Sequence, residues 1–394
     1  MSQTHPPLTS RLVALMAFAT GLTVASNYYA QPLLGTLATA FGMSEALAGF
    51  IVTTAQLGYA LGLVFLVPLG DVMERRGLIV GMTLLAACGL AITASAHSVA
   101  QILVGTTLTG LFVVVAQVLV PLGATLAAPD QRGRVVGTLM SGLLLGILLA
   151  RTAAGLLAEL GGWRTVYWVA APLLVVTALA LWRALPTYRE PASMRYPQLL
   201  ASVLRLFVEV PALRLRAALG AFSFAIFSVL WTSMAFLLSE APFHFSEATI
   251  GLFGLVGAAG ALAASGAGRM ADRGGADRTT TVGLVLLLLS WLPIAVAQRS
   301  LAAFVVGVLV LDLAVQAVHV SNQSVLYKLR PDARSRMTAA YMTSYFIGGA
   351  AGSLLSASAY HAAGWYGVCI AGGAISLAAL LTWGLSRVRK PAMA

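Results

Sequence analysis

The sequence predicts an all-α membrane protein of twelve transmembrane helices arranged as two pseudo-symmetric six-helix bundles. Three observations predict it: long apolar runs along the whole chain, a composition of 59% hydrophobic against 9% charged residues, and a repeat that maps the first half onto the second. Soluble domains carry about a quarter charged residues, so this chain has too few to cover a water-facing surface. A membrane β-barrel would show short alternating segments instead of unbroken apolar runs.

The runs lie at 12–35, 46–69, 78–96, 99–127, 135–160, 163–185, 215–239, 247–270, 279–298, 301–326, 337–360 and 364–386. At ~1.5 Å of rise per residue each spans or nearly spans a ~30 Å hydrocarbon layer. The first is longer than the apolar region of a signal peptide and lacks a convincing cleavage site, so it is expected to remain a span. Threading with the N-terminus in the cytoplasm puts nearly all of the 24 Lys and Arg on the cytoplasmic side, among them Arg132, Arg134, Lys328 and Arg330. Arg164 and Arg299 fall outside and Arg151 falls within a span. This positive-inside asymmetry puts both termini in the cytoplasm and the chain in a cell membrane, with a bacterial inner membrane expected. The net charge of +11 therefore reports topology, and nucleic acid is not an expected partner.

The longest polar interruption carries Pro186, Pro191, Pro197 and Pro211 among Arg189, Arg195, Arg205, Arg214 and Arg216. It divides an N-terminal bundle, 1–185, from a C-terminal bundle, 215–394, by a cytoplasmic linker, 186–214. A shift of 202 residues puts Pro129, Asp130, Arg132 and Arg134 on Pro331, Asp332, Arg334 and Arg336. The same shift puts Gly146 on Gly348, Gly162 on Gly364 and Trp163 on Trp365, so the match includes charged loop residues as well as apolar ones.

Asp312 is the costliest residue, lying roughly 16 Å into a run that begins near Leu301. A carboxylate at mid-membrane costs about 3 kcal/mol on the insertion scale, so it is expected to face a cavity or partner and to serve a proton or ion step; a structural ion pair is the competing reading. Gln316, His319 and Asn322 continue one polar stripe down the same helix. Arg151, at or just past the middle of its span, needs an acceptor, and Asp312 is the only deep carboxylate on offer. A pair between them across the halves is therefore expected as the proton-coupling element, against snorkelling or backbone binding by Arg151. Asn27 and Gln31, one turn apart on the first span, offer amides to a ligand, as do Gln117 and Gln316. Trp231 with Phe222, Phe224 and Phe227, and Tyr341 with Tyr345 and Phe346, suit either packing or a ring-bearing substrate. Cys88 and Cys369 lie in apolar runs as structural thiols. No phosphate-binding loop, Cys/His metal set or nucleophile elbow is present, so no cofactor, metal or enzymatic chemistry is expected.

Two loops carry a family likeness. Gly268 to Arg278, GRMADRGGADR, resembles the G-x-x-x-D-R-x-G signature of the major facilitator superfamily; Val67 to Gly77, VPLGDVMERRG, keeps Asp71, Arg75 and Arg76 but has Val67, Val72 and Glu74 where the family has glycine, arginine and glycine. The resemblance implies a cytoplasmic gating loop formed by Asp71, Arg75, Arg76, Asp272 and Arg273 that latches the halves in one state. It also implies a central cavity lined by spans 1, 4, 7 and 10. The NYYAQPLL stretch (Asn27 to Leu34), Arg334 to Met342 and Ser321 to Gln323 make the chain similar to the twelve-span drug, sugar and nucleoside efflux branch. Thr106 stands where antiporters of that branch often have an arginine, and span 5 lacks their proline, although Gly142, Gly146 and Gly155 suit close helix packing. The resemblance implies a monomeric secondary transporter that exports a small organic molecule in exchange for protons by alternating access. A facilitator or proton-coupled importer is the alternative within transport, and a non-transporting receptor is the alternative outside it.

Overall fold

The computed structural model describes residues 9–128, 130–189, 194–263, 275–329 and 333–388. Every regular element among them is helical: α1 (Ser10–Ala25), α2 (Leu34–Phe41), α3 (Glu45–Phe65), α4 (Arg75–Ala94), α5 (Val99–Phe112), α6 (Ala116–Leu126), α7 (Arg132–Gly161) and α8 (Trp163–Ala184) in the first half, then α9 (Tyr196–Glu209), α10 (Pro211–Ser239), α11 (Glu247–Ala263), α12 (Ala276–Ala295), α13 (Leu301–Leu329) and α14 (Arg334–Val388). Nine helical stretches among the described residues are long and apolar enough to cross a membrane, and α1 and α11 are shorter apolar helices. One of the nine, α14, is two helices joined across a kink of non-helical backbone at Ala363 and Gly364, so the helices are consistent with twelve crossings. Exposed Leu57, Leu61, Phe65, Trp168, Leu292 and Ile370 give the outer surface the apolar character that lipid requires.

The duplication is visible in the backbone. Gly162 has φ 81° and Gly364 has φ 59°, a region that side chains with a Cβ avoid, and each is followed by a buried tryptophan, Trp163 or Trp365, that opens the next crossing. The same holds for close packing. A Cβ on Gly146 would fall on the Gly21 carbonyl where α7 crosses α1, and one on Gly348 would fall on the Ala221 carbonyl where α14 crosses α10.

The linker range contains α9, and from Pro211 its residues belong to α10. The first span is not one helix. The helix α1 ends at Ala25, turns follow, and a short 3-10 stretch, Gln31–Leu33, with Pro32 in its first turn where no N–H is needed, leads into α2. Asn27 and Gln31 thus flank a break instead of lying one helical turn apart, which corrects the sequence expectation. A second 3-10 stretch, Val113–Val115, separates α5 from α6.

The halves meet through α3 against α14 and α7 against α11. At one end Glu45 pairs with His361 at 2.8 Å, Ser246 bonds Glu159 at 3.4 Å and Thr36 donates to Glu247. Deeper in, the Ser353 hydroxyl donates to the Gly49 carbonyl at 3.2 Å, and Tyr59 stacks on Phe346 with centroids 3.9 Å apart. Glu45 to Tyr59 covers about 21 Å of helix, so this join reaches past the middle of the bundle.

Candidate functional site

The broken first span presents its polar side chains to the centre of the bundle. Asn27 donates through Nδ2 to Gln56 Oε1 at 3.3 Å, and Gln31 Oε1 accepts from Arg151 Nε at 2.7 Å. All four residues are buried, and Asn27 Oδ1, Gln31 Nε2, Gln56 Nε2 and Arg151 Nη2 have no hydrogen-bond partner among the described residues. The Gln31 amide is oriented by Arg151, and turning the Asn27 and Gln56 amides over together still leaves one donor and one acceptor between them. The wall therefore holds three unpaired donors against one unpaired acceptor. Unmade hydrogen bonds on buried groups cost about 1–3 kcal/mol each, so this cluster holds uncompensated donor capacity.

Arg151 reaches this point because α7 lies close to both neighbours. Gly142 and Gly146 admit α1, while Gly251 and Gly254 of α11 admit the α7 backbone at Leu148, Arg151 and Thr152. The guanidinium, 3% exposed, lies 3.9 Å from the Trp231 ring centroid, 5.1 Å from that of Tyr28 and 5.4 Å from that of Phe227. Such cation–π contacts are each worth up to about 2 kcal/mol when desolvated.

Asp312 is buried and accepts from Trp231 Nε1 at 3.2 Å. Gly257 lets α11 approach, since a Cβ there would strike both Asp312 Oδ2 and the Trp231 ring. The expected direct pair of Arg151 with Asp312 does not form. Trp231 stands between them, its face on the cation and its N–H on the carboxylate, because the flat indole of α10 fills the gap between α7 and α13. The stripe on α13 follows α10 further: Asn322 Oδ1 accepts from Arg216 Nη1 at 3.2 Å, and Arg216 also holds Asp277 at 2.7 Å.

Trp231, Tyr341 and Tyr345 do come together. From Trp231 the rings run through Phe227 and Phe224 to Tyr345, which stacks on Phe224 at 4.1 Å. His319 closes the group, its Nδ1 3.0 Å from the Tyr341 hydroxyl and its ring 4.7 Å from that of Tyr345. Gln117 Nε2 lies 3.5 Å from the Tyr59 hydroxyl, and Gln316 is half-buried with no hydrogen bond among the described residues. Sequence reasoning missed Gln56, Tyr28 and Tyr59. An amide inside an apolar run was the available signal for Gln56, as it was for Gln117.

In the loop after α3, Asp71 pairs with Arg75 at 3.6 Å, and Arg75 donates to the Gly70 carbonyl. Arg76 lies over Trp182, and Glu74 caps α4 while accepting from the Tyr188 amide. These contacts tie the loop to the end of α8 and the start of the linker. Asp272 and Arg273 of the second loop lie outside the described residues.

Two helix-lined halves around one central polar cluster are matched by the family model of the Major Facilitator Superfamily over residues 16–296 and 216–393. The chain belongs to the Major Facilitator Superfamily. Within this superfamily it is 63% identical over 383 residues to the uncharacterized transporter YgaY of Escherichia coli O157:H7, covering 97% of each chain. It is 28% identical over 399 residues to the chloramphenicol resistance protein of Streptomyces lividans, covering 95% of each. Among solved structures, a bacterial homologue of the human lysosomal transporter Spinster, inward-facing and occupied, superposes with TM-score 0.77 at 15% identity over 98% of both chains. This superfamily member is a multi-pass membrane transporter of small molecules, not an enzyme.

Proposed function

We propose that this transporter exports a small ring-bearing organic molecule from a bacterial cell across the inner membrane in exchange for protons. The observation that carries the reading is the Arg151, Trp231 and Asp312 array, in which a cation of one half and a carboxylate of the other share one indole. In this reading the substrate lies flat against Trp231, Tyr341 and Tyr345, and its acceptors take the free donors of Gln31, Gln56 and Arg151. Asn27, Gln117 and Gln316 complete the lining. The arginine-rich end faces the cytoplasm, where Asp71, Arg75 and Arg76, with Asp272 and Arg273, gate the halves. The join from Glu45 to Tyr59 then closes the outer side. Export is supported by the resistance function in the name of the Streptomyces lividans relative.

A proton on Asp312 removes the negative charge that draws the Trp231 N–H, which loosens the indole and with it the Arg151 guanidinium. Protonation shifts the two-state equilibrium only by its differential affinity, so Asp312 keeps this partner in one state and loses it in the other. The test is substrate-triggered proton flux in proteoliposomes with an internal pH dye, wild type beside Asp312→Asn, over sugars, nucleosides, amino acids, lipophilic cations and chloramphenicol. Flux in the wild type that disappears in the variant, with binding retained, is expected. Substrate movement without proton flux, equal in both proteins, would make the chain a facilitator.

A further inference from the structure

Among the exposed residues of the linker helix α9, Pro197, Ala201, Leu204 and Val208 recur at helical spacing, so they form one stripe, and Leu204 and Val208 are 70% and 74% exposed. Its opposite face is seated on the bundle through buried Leu199 and Leu206. An apolar stripe of this length exposed to water is unusual, but beside a bilayer it has a partner. The start of α9 stands at the lipid-facing edge of the bundle. The Tyr196 hydroxyl donates to the Phe65 carbonyl at 2.6 Å, and Phe65 ends the exposed apolar row of Leu57 and Leu61 on α3.

Next to the stripe, a cleft of about 420 Å³ lies between α9 and the start of α14, lined by Gln198, Ser202, Arg205, Glu209 and Arg336 among others. Neither guanidinium has a hydrogen bond or ion pair within the described residues, and Glu209, one turn from Arg205, has none either. Two free guanidiniums suit a phosphate, for which arginine supplies a planar fork of donors. The single free carboxylate suits an ammonium beside it.

We infer that this cleft binds the headgroup of a phospholipid carrying both a phosphate and a primary amine, with the acyl chains lying along the Ala201, Leu204 and Val208 stripe. Arg205 and Arg336 take the phosphate, Ser202 and Gln198 add donors, and Glu209 takes the amine. The inference rests on the reading that α9 lies at the membrane surface of the arginine-rich end.

Native mass spectrometry of the full-length protein in a mild detergent tests it, with phosphatidylethanolamine, phosphatidylglycerol and phosphatidylcholine of matched chains added at equal concentration. The wild type is expected to retain phosphatidylethanolamine above the other two. Arg205→Gln with Arg336→Gln is expected to lower that retention about tenfold, the loss of roughly one charge-assisted hydrogen bond, while Arg132→Gln with Arg134→Gln leaves it unchanged. Leu204→Ser with Val208→Ser keeps the arginines and is expected to weaken retention as well. Equal retention of the three lipids, or retention unchanged in the Arg205 and Arg336 variant, would overturn the site. Displacement of the lipid by inorganic phosphate, with the serine variant binding like wild type, would make the ligand a soluble phosphate and overturn the lipid assignment. Lipid retention in detergent requires neither proton flux nor orientation, so its failure and that of the export reading are separable.

Discussion

Arg151→Gln is expected to lower the transport rate by about two orders of magnitude while leaving the protein folded, and Arg151→Lys is expected to do nearly as much. The guanidinium performs three tasks at one point: Nε donates to Gln31 at 2.7 Å, the planar face lies 3.9 Å from the Trp231 centroid, and Nη2 has no hydrogen-bond partner among the described residues. Loss of a charge-assisted hydrogen bond removes about 1.5–3 kcal/mol, and loss of a desolvated cation–π contact removes up to about 2 kcal/mol more. With each 1.4 kcal/mol worth a factor of ten, a hundredfold effect is a moderate expectation. A lysine keeps the charge but is a single point, so it cannot hold Gln31, cover Trp231 and present a further donor together. Initial rates with whichever compound of the panel drives proton flux, alongside size-exclusion profiles and melting temperatures, measure this. A lysine variant working at the wild-type rate would mean that charge alone matters there and that the forked geometry does not.

How far the sequence reaches is clear from particular residues. Run lengths and the placement of arginine locate the crossings, because a membrane demands long apolar helices whatever surrounds them. The 202-residue offset is confirmed in atomic terms at Gly162 and Gly364, where both copies need a left-handed backbone before a buried tryptophan. Burial is also legible: Asp312 and Arg151 are both buried, as charges within apolar runs must be shielded from lipid. What a run does not give is azimuth between helices, and so Trp231 could not be foreseen between the two charges. The break at the first span had a signal in Pro32, which removes one helical hydrogen bond, but Pro121, Pro172 and Pro293 lie inside continuous helices, so proline alone does not mark a break and hydropathy passes straight through it. Arg216 shows the opposite limit, since a residue counted with the linker arginines is 5% exposed and bonded to Asp277, Thr280 and Asn322.

Gly146→Val is expected to prevent normal assembly of the first half, with little folded protein recovered from membranes. At this crossing a Cβ would land on the Gly21 carbonyl, and Gly21 and Gly142 are likewise limited by backbone atoms of the opposing helix, so no flexible side chain is present to move aside. In a bilayer, helices gain no hydrophobic drive from meeting each other, and close van der Waals contact through small residues supplies much of their association. Overpacking typically costs about 1–3 kcal/mol when side chains can adjust, and here the two helix axes themselves must part. Parting them would also move Arg151, which lies little more than one turn further along α7, away from Gln31. Gly137 on the same helix is the control, because a Cβ there meets nothing within 4 Å. Gly137→Ala is expected to keep full yield and to raise the melting temperature slightly, since alanine favours a helix over glycine by about 1 kcal/mol. Yield after membrane extraction and melting in detergent compare the two. Normal yield and melting for Gly146→Val would show that α1 and α7 tolerate separation, and the anchoring of Arg151 would then have to come from its rings and Gln31 alone.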